Sequence, residues 1–186
     1  MMVKPTYFVA GESGQWQVEA TRAIIGKGLD VAPRLCVMDD NKVILPVSAA
    51  WVLRGTAGSA RYTTRVELDQ LGERQPPLGR ATACLAVLIP IRKSDLWWSL
   101  AQDERRAIIQ ERSAHFQIGM DYLPAVARRL YHSRDLGEPF DFLTWFEFAE
   151  ESAPQFDAML FRLRATEEWR FVEREVEIRL RIWQHG

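Results

Sequence analysis

The sequence predicts an α+β protein with a ferredoxin-like layout, in which helices pack on one side of a mainly antiparallel sheet. Three observations predict this fold class. The first 90 residues carry short runs of strand-forming residues that glycines and prolines interrupt. Two segments of the second half alternate with the period of a strand. The segments around them repeat apolar residues with the period of a helix.

In the first half, strands are predicted over 7–10 and 16–25, in two short pieces within 33–46, and over 49–54. A short helix is predicted over 65–71 and a loop over 72–79. Residues 81–91 form an apolar run that indicates a buried strand.

The second half begins with a helical region, for which Ser94 or Asp95 provides a cap. Ile108, His115, Ile118 and Tyr122 share one helical face, with a break expected near Gly119.

A new helix is predicted from Asp121 and Pro124 to about His132. Its core face consists of four apolar residues: Leu123, Val126, Ala127 and Leu130.

Residues 141–148 alternate and predict a strand, as do residues 169–182, whose charged face is either solvated or paired across strands. Between them, a helix beginning at 152–154 carries an apolar stripe: Phe156, Met159, Leu160 and Leu163.

Composition excludes several classes of protein. The chain has 186 residues with 47% hydrophobic residues, which suits one domain or two small fused domains. The balance of 24 basic and 25 acidic residues gives no basic surface for nucleic acid. The longest apolar run is far shorter than the ~20 residues of a membrane span, so a soluble protein without a membrane partner is expected.

The two cysteines, Cys36 and Cys84, lie far apart, which argues for a reducing compartment and against a disulfide scaffold. Since no apolar signal-peptide core follows Pro5, a cytoplasmic protein is expected. The sequence lacks the GxGxxG, Walker A, HExxH and GxSxG motifs.

Among the three histidines, His185 lies near the C-terminus, and His132 is read as a helix-end residue that favours the helix dipole. His115 lies on an apolar face one turn before Gly119. Local sequence leaves two interpretations of His115 open: a core histidine, or an axial ligand to a b-type haem. Arg128 falls off the stripe of its predicted helix, which by default makes it a surface residue.

The second half resembles the chlorite dismutase family, and within it the short, dimeric lineage. The resemblance covers residues 89–186 closely and the first 88 loosely. It rests on several stretches: 89–94 leading to Trp97 and Trp98, 103–107, His115 followed after twelve residues by Arg128, 131–147, 166–169 and 172–176.

The resemblance implies a haem b enzyme that converts chlorite to chloride and dioxygen. It implies a homodimer whose chains form an antiparallel β-barrel with helices packed outside. A truncated ferredoxin-like subdomain would span 1–92, and a haem-binding ferredoxin-like subdomain would span 93–186. Rival interpretations are a coprohaem decarboxylase-like enzyme and a non-enzymatic haem-binding or sensing protein.

The resemblance also implies roles for individual residues. His115 resembles the proximal iron ligand, Glu168 its hydrogen-bond partner and Lys93 a further member of that network. Arg128 resembles the distal arginine.

Further matches are implied: Gln75 with a distal glutamine, Tyr62 with a residue near the haem propionates, and Trp97 and Trp98 with tryptophans near the haem and the subunit contact. For Trp97 and Trp98, the interpretation as core aromatics stays open.

Overall fold

The structure is a computed structural model, which describes residues 4–39, 46, 48–58 and 61–183. The second β-prone piece predicted within 33–46 and His185 fall outside these residues.

The described residues form an eight-stranded, closed antiparallel barrel. The strands are Thr6–Gly11 (β1), Trp16–Ile25 (β2), Arg34–Asp39 (β3), Trp51–Ala57 (β4), Leu85–Lys93 (β5), Ala127–His132 (β6), Phe142–Phe148 (β7) and Val172–Ile182 (β8). Their order around the barrel is β1-β3-β2-β8-β5-β7-β6-β4. The predicted fold class is therefore confirmed.

The barrel consists of two four-stranded sheets with the same ferredoxin-like order, β4-β1-β3-β2 and β8-β5-β7-β6. The pairs β2–β8 and β4–β6 join them. The second sheet includes β5, whereas the predicted division at residue 92 counts that strand with the first half. The assignment of two subdomains stays a prediction.

Within the described ranges, five α-helices flank the strands: Arg65–Arg74 (α1), Asp95–Ser99 (α2), Gln102–Arg106 (α3), His115–Asp121 (α4) and Ala153–Arg164 (α5). The predicted Ser94 cap is present, since its hydroxyl accepts from the Trp97 backbone N–H. The predicted stripe of α5 is buried along its whole length.

Two apolar layers explain why β5 and β7 are buried on both faces. Leu88, Leu143 and Trp145 belong to the cluster that fills the barrel. Val87 and Phe146 belong to a second cluster, which packs between the outer face of the sheet and α5. Space for a ligand therefore lies outside the barrel, between this face and the helices.

The helix predicted from Asp121 to His132 is wrong, because residues 127–132 form strand β6. All six residues of β6 pair with β7, and this ladder outweighs the local helical spacing. Tyr131 contributes to the barrel interior. Arg128, Leu130 and His132 alternate with it and line the outer face.

The helix break predicted near Gly119 falls earlier, at Ser113 and Ala114. A π-helical segment, Ala107–Arg112, precedes it. Ala114 then adopts the left-handed conformation, with φ of 50°. Because that conformation costs about 1–2 kcal/mol for a residue other than glycine, the surrounding packing must maintain it.

Candidate functional site

A cavity of about 1200 Å³, including its open mouth, lies between α4, α5 and the outer face of β5, β7 and β6. Apolar side chains form the walls next to α5: Ile89, Phe146, Met159, Leu160 and Leu163. Polar groups line the region around Tyr62 and His132. A large apolar pocket with a few convergent polar groups is typical of a ligand or cofactor site.

His115 is the first residue of α4, and its side chain lines this cavity. The left-handed Ala114 separates α4 from the preceding π-helical segment. The Gln110 side-chain carbonyl then accepts from the Phe116 N–H at 3.2 Å, so α4 begins with one of its free N–H groups satisfied. π-Helical segments occur frequently at functional sites.

A buried carboxylate orients the His115 ring. Glu168 Oε2 lies 2.6 Å from His115 Nδ1, and Glu168 Oε1 lies 2.8 Å from Lys93 Nζ. Burial alone would raise the pKa of Glu168, but Lys93 and His115 hold that pKa well below its usual range. An ionised carboxylate only accepts, so Nδ1 carries the proton. Nε2 is the ring nitrogen left for a ligand in the cavity that His115 lines.

Lys93 reaches the site through an irregularity at the end of β5. The register of β5 against β8 shifts between Arg92 and Lys93, and the Lys93 N–H donates to Asp141 Oδ2 at 2.7 Å. Its side chain is only 4% exposed. A buried ammonium needs a counter-ion, and Glu168 provides it. His115, Glu168 and Lys93, predicted to act together, are thus brought together.

Arg128 lies on the outer face of β6 and reaches across the cavity towards α4. A Cβ atom built at Gly119 would lie 3.6 Å from its NH1. Among the described residues, its guanidinium has no hydrogen-bond or ion-pair partner. Burial lowers the pKa of Arg128, and the charge of Glu168 partly offsets this effect. An unpaired guanidinium in a cavity is a site for an anion.

Gln75 contacts the backbone of Arg128 and does not line the cavity. Its Nε2 donates to the Arg128 carbonyl at 2.8 Å, and its Oε1 is buried with no partner among the residues that the structure describes. The side chain therefore fixes the end of α1 to β6. Its implied role as a distal glutamine stays a prediction.

Tyr62 and Trp97 both line the cavity and meet edge to face, with ring centroids 6.2 Å apart. The Tyr62 hydroxyl accepts from Arg105 NH1 at 3.0 Å. Trp97 is fully buried, and its indole N–H has no partner among the described residues. Trp98 lies outside the lining, where its indole N–H donates to Asp141 at 3.1 Å.

His132 lines the same cavity, a position that the predicted helix did not indicate. Its Nδ1 is buried without a partner in the described part of the chain, and burial together with the charge of Arg61 lowers the pKa of His132. The error follows from the helix assigned to this segment. Read as a strand, the spacing Arg128, Leu130, His132 places all three on one face.

Comparison with known proteins identifies the family. The chlorite dismutase family model matches residues 47–180, most of the chain. The chain belongs to the chlorite dismutase family.

Solved structures of the family share this fold. The dimeric chlorite dismutase from Nitrobacter winogradskyi is 49% identical, with a TM-score of 0.89 over 96% of this chain and 99% of that chain. A chlorite dismutase from Candidatus Nitrospira defluvii in complex with imidazole is 19% identical, with a TM-score of 0.69 over 95% and 90% of the two chains. That second likeness shows the fold alone.

A curated chlorite dismutase from Ideonella dechloratans is 37% identical over 62 residues. The match spans 33% of this chain and only 20% of that relative.

In the part of this chain that the structure describes, no helix has the length and apolar character of a membrane span.

The donor set of this chlorite dismutase family member fits a haem. No group of three His, Cys, Asp or Glu side chains within the described ranges could hold a metal ion. The cavity instead presents one imidazole nitrogen, which suffices for a haem whose macrocycle supplies the other iron ligands. The apolar walls fit the macrocycle. Two lining residues suit its carboxylates: Trp97, whose indole N–H has no partner among the described residues, and Arg61, which also pairs with Asp135 at 2.9 Å.

Replacing Glu168 with alanine is expected to weaken haem retention by about 10–100-fold, because losing the partner of a metal-binding histidine has this effect. Haem transfer to apomyoglobin measures the change. Glu167 offers a control next to it, since this half-buried neighbour pairs with Arg112 at 3.1 Å and not with His115. Equal haem loss in both alanine variants would remove Glu168 from the network.

Proposed function

We propose that the protein is a haem b-dependent chlorite dismutase, which converts chlorite to chloride and dioxygen. One observation carries the proposal: a single cavity holds an imidazole nitrogen fixed by a buried Glu–Lys pair and a guanidinium without a partner. The first arrangement suits an iron ligand, and the second suits a small anionic substrate.

Each residue of the site has a defined task. His115 would hold the iron through Nε2, while Glu168 keeps the proton at Nδ1 and would make the imidazole a stronger donor. Lys93 keeps Glu168 ionised. The haem iron, when bound, supplies the chemistry that removes an oxygen atom from chlorite.

Arg128 attracts chlorite and then retains the fragment that remains. Removing one oxygen atom from chlorite leaves hypochlorite, which must stay in the cavity until the two oxygen atoms join. Chloride and dioxygen then account for every atom and for the single negative charge. A permanently charged guanidinium without another partner performs this retention by electrostatic attraction and orientation.

Reconstitution tests the proposal. The purified protein should take up one haem per chain with a Soret band, and the loaded protein should release dioxygen when chlorite is added. Haem uptake with negligible chlorite turnover would indicate a non-enzymatic haem-binding or sensing protein. Failure to take up haem would refute the proposal.

We also infer that the protein forms a homodimer, because the relative that is 49% identical over nearly its whole length is described as dimeric. Sedimentation should give twice the monomer mass of 21.4 kDa, independent of concentration over a wide range. A monomer mass would contradict the inference, and a pentamer would mean that the lineage is wrong.

The free Cys36 and Cys84 fit our proposal of a cytoplasmic location.

A further inference from the structure

The indole of Trp169 forms part of the wall beside His115. Trp169 follows Glu168 in a 3₁₀ turn, Glu167–Phe171, and its ring lies 6.4 Å from the His115 ring, with 29° between the planes. Lys93 Nζ lies 5.6 Å from the same indole. Trp169 therefore adjoins all three members of the histidine network.

A fully buried carboxylate on β8 anchors this indole. Glu175 Oε2 accepts from Trp169 Nε1 at 2.8 Å. Glu175 Oε1 accepts from Arg164 Nε at 2.9 Å and from Arg164 NH2 at 2.7 Å. Each oxygen has its own partner, one on the 3₁₀ turn and one on α5. Because a buried carboxylate is costly without its partners, this arrangement fixes both.

The anchor adds a side-chain bond to a turn that backbone bonds hold at its end, where the Phe171 carbonyl accepts from the Ser94 N–H at 2.8 Å and the Trp169 carbonyl accepts from the Val172 N–H. The Glu168 N–H donates to the Ser113 hydroxyl at 2.9 Å, and the Trp169 N–H donates to the Thr166 carbonyl at 3.3 Å. Loss of the anchor would remove the side-chain bond next to Glu168 and allow the backbone there to shift. The carboxylate of Glu168 would then lose its alignment with His115 Nδ1.

We propose that Glu175 is a positioning residue, which acts through Trp169 to hold Glu168 and the His115 ring in the geometry that binds the iron. The role of His115 as iron ligand rests on the proposed function. The alignment of His115 with Glu168 does not, because it rests on the 2.6 Å contact between their side chains.

Glu177 provides a matched control two residues along the same strand. Its side chain is 2% exposed, and it accepts from Arg164 NH2 at 2.8 Å and from Arg179 Nε at 2.7 Å. It shares burial and the Arg164 partner with Glu175, but the described residues show no contact between Glu177 and Trp169. Loss of stability is therefore common to both variants, whereas loss of the anchor is specific to Glu175.

The test compares Glu175→Gln, Trp169→Phe and Glu177→Gln. In the protein without haem, the far-downfield NMR resonance of the proton shared by His115 and Glu168 reports their alignment. In the loaded protein, the iron–histidine stretching frequency and the rate of haem transfer to apomyoglobin report the same geometry. Glu175→Gln and Trp169→Phe should shift both spectra and speed haem loss on the order of 10-fold, and Glu177→Gln should match the wild type.

Two results would overturn the proposal: equal shifts in Glu175→Gln and Glu177→Gln, or a Trp169→Phe variant that matches the wild type. The phenylalanine variant keeps an aromatic ring and loses only the anchoring N–H, so it decides the matter even if Glu175→Gln fails to fold. If the wild type takes up no haem, the proposed function fails, and the NMR comparison still decides the role of Glu175.

Discussion

Replacing His115 with alanine is expected to abolish stable haem binding and leave the fold intact. The side chain is 27% exposed, towards the cavity, and Glu168 keeps Lys93 as its partner after the change. Since loss of an outer partner costs about 10–100-fold in affinity, loss of the ligand itself should cost more than about 100-fold. Haem titration followed at the Soret band measures the loss, and circular dichroism checks the fold.

The matched control is His132→Ala, because this histidine lines the same cavity from β6. His132 lies four residues after Arg128 on β6, so the two residues are about 13 Å apart along the strand. We expect this variant to keep most of its haem affinity. If His132→Ala loses haem and His115→Ala retains it, the ligand has been assigned to the wrong histidine.

Replacing Arg128 with alanine is expected to keep the haem but slow chlorite turnover by about 100–1000-fold, the usual effect of removing one preorganised donor. The guanidinium has no partner among the described residues, so its loss breaks no ion pair and should not unfold the protein. Hypochlorite should escape and bleach the variant within fewer turnovers. Free methionine, which scavenges hypochlorite, should then prolong the activity of the variant much more than that of the wild type.

Arg128→Lys separates charge from shape. A lysine keeps the positive charge but lacks the planar fork of the guanidinium, so it should restore turnover only partly. An oxygen electrode, read with and without methionine, measures all three proteins. Wild-type oxygen yield and inactivation rate in Arg128→Ala would show that the arginine has no part in the reaction.

Local sequence patterns correctly predicted the elements that can be recognised from the spacing of residues within a single segment. The stripe of α5, the alternation of β7 and the cap at Ser94 all follow from spacing within one segment. The trio of His115, Glu168 and Lys93 could not be assembled in this way, because its members lie on α4, a 3₁₀ turn and β5. The resemblance to a family supplied that grouping.

Strand β6 shows where local patterns fail. Leu123, Val126, Ala127 and Leu130 have helical spacing, yet pairing with β7, which follows later in the chain, decides the conformation. The same error concealed His132 as a cavity residue and left Arg128 on the wrong kind of element. The strand order that the two sheets share could not be predicted either, because the sequence contains no exact internal repeat.

The charged face of β8 needed the tertiary structure as well. Alternation left open whether Glu175 and Glu177 are solvated or paired, and both are almost fully buried. Their partner Arg164 comes from α5, so only the packing of that helix against the sheet shows the pairing. Gln75 is similar, because its contact with the backbone of Arg128 joins α1 to a strand 53 residues away.

The central claim is that haem held by His115, with Arg128 in the same cavity, converts chlorite to chloride and dioxygen. The most direct measurement is the oxygen yield of the haem-loaded protein from a known amount of chlorite, with chloride determined in the same sample. The proposed function predicts one dioxygen and one chloride per chlorite. Chlorite consumption without dioxygen, or a stable Soret band with no consumption at all, would contradict it.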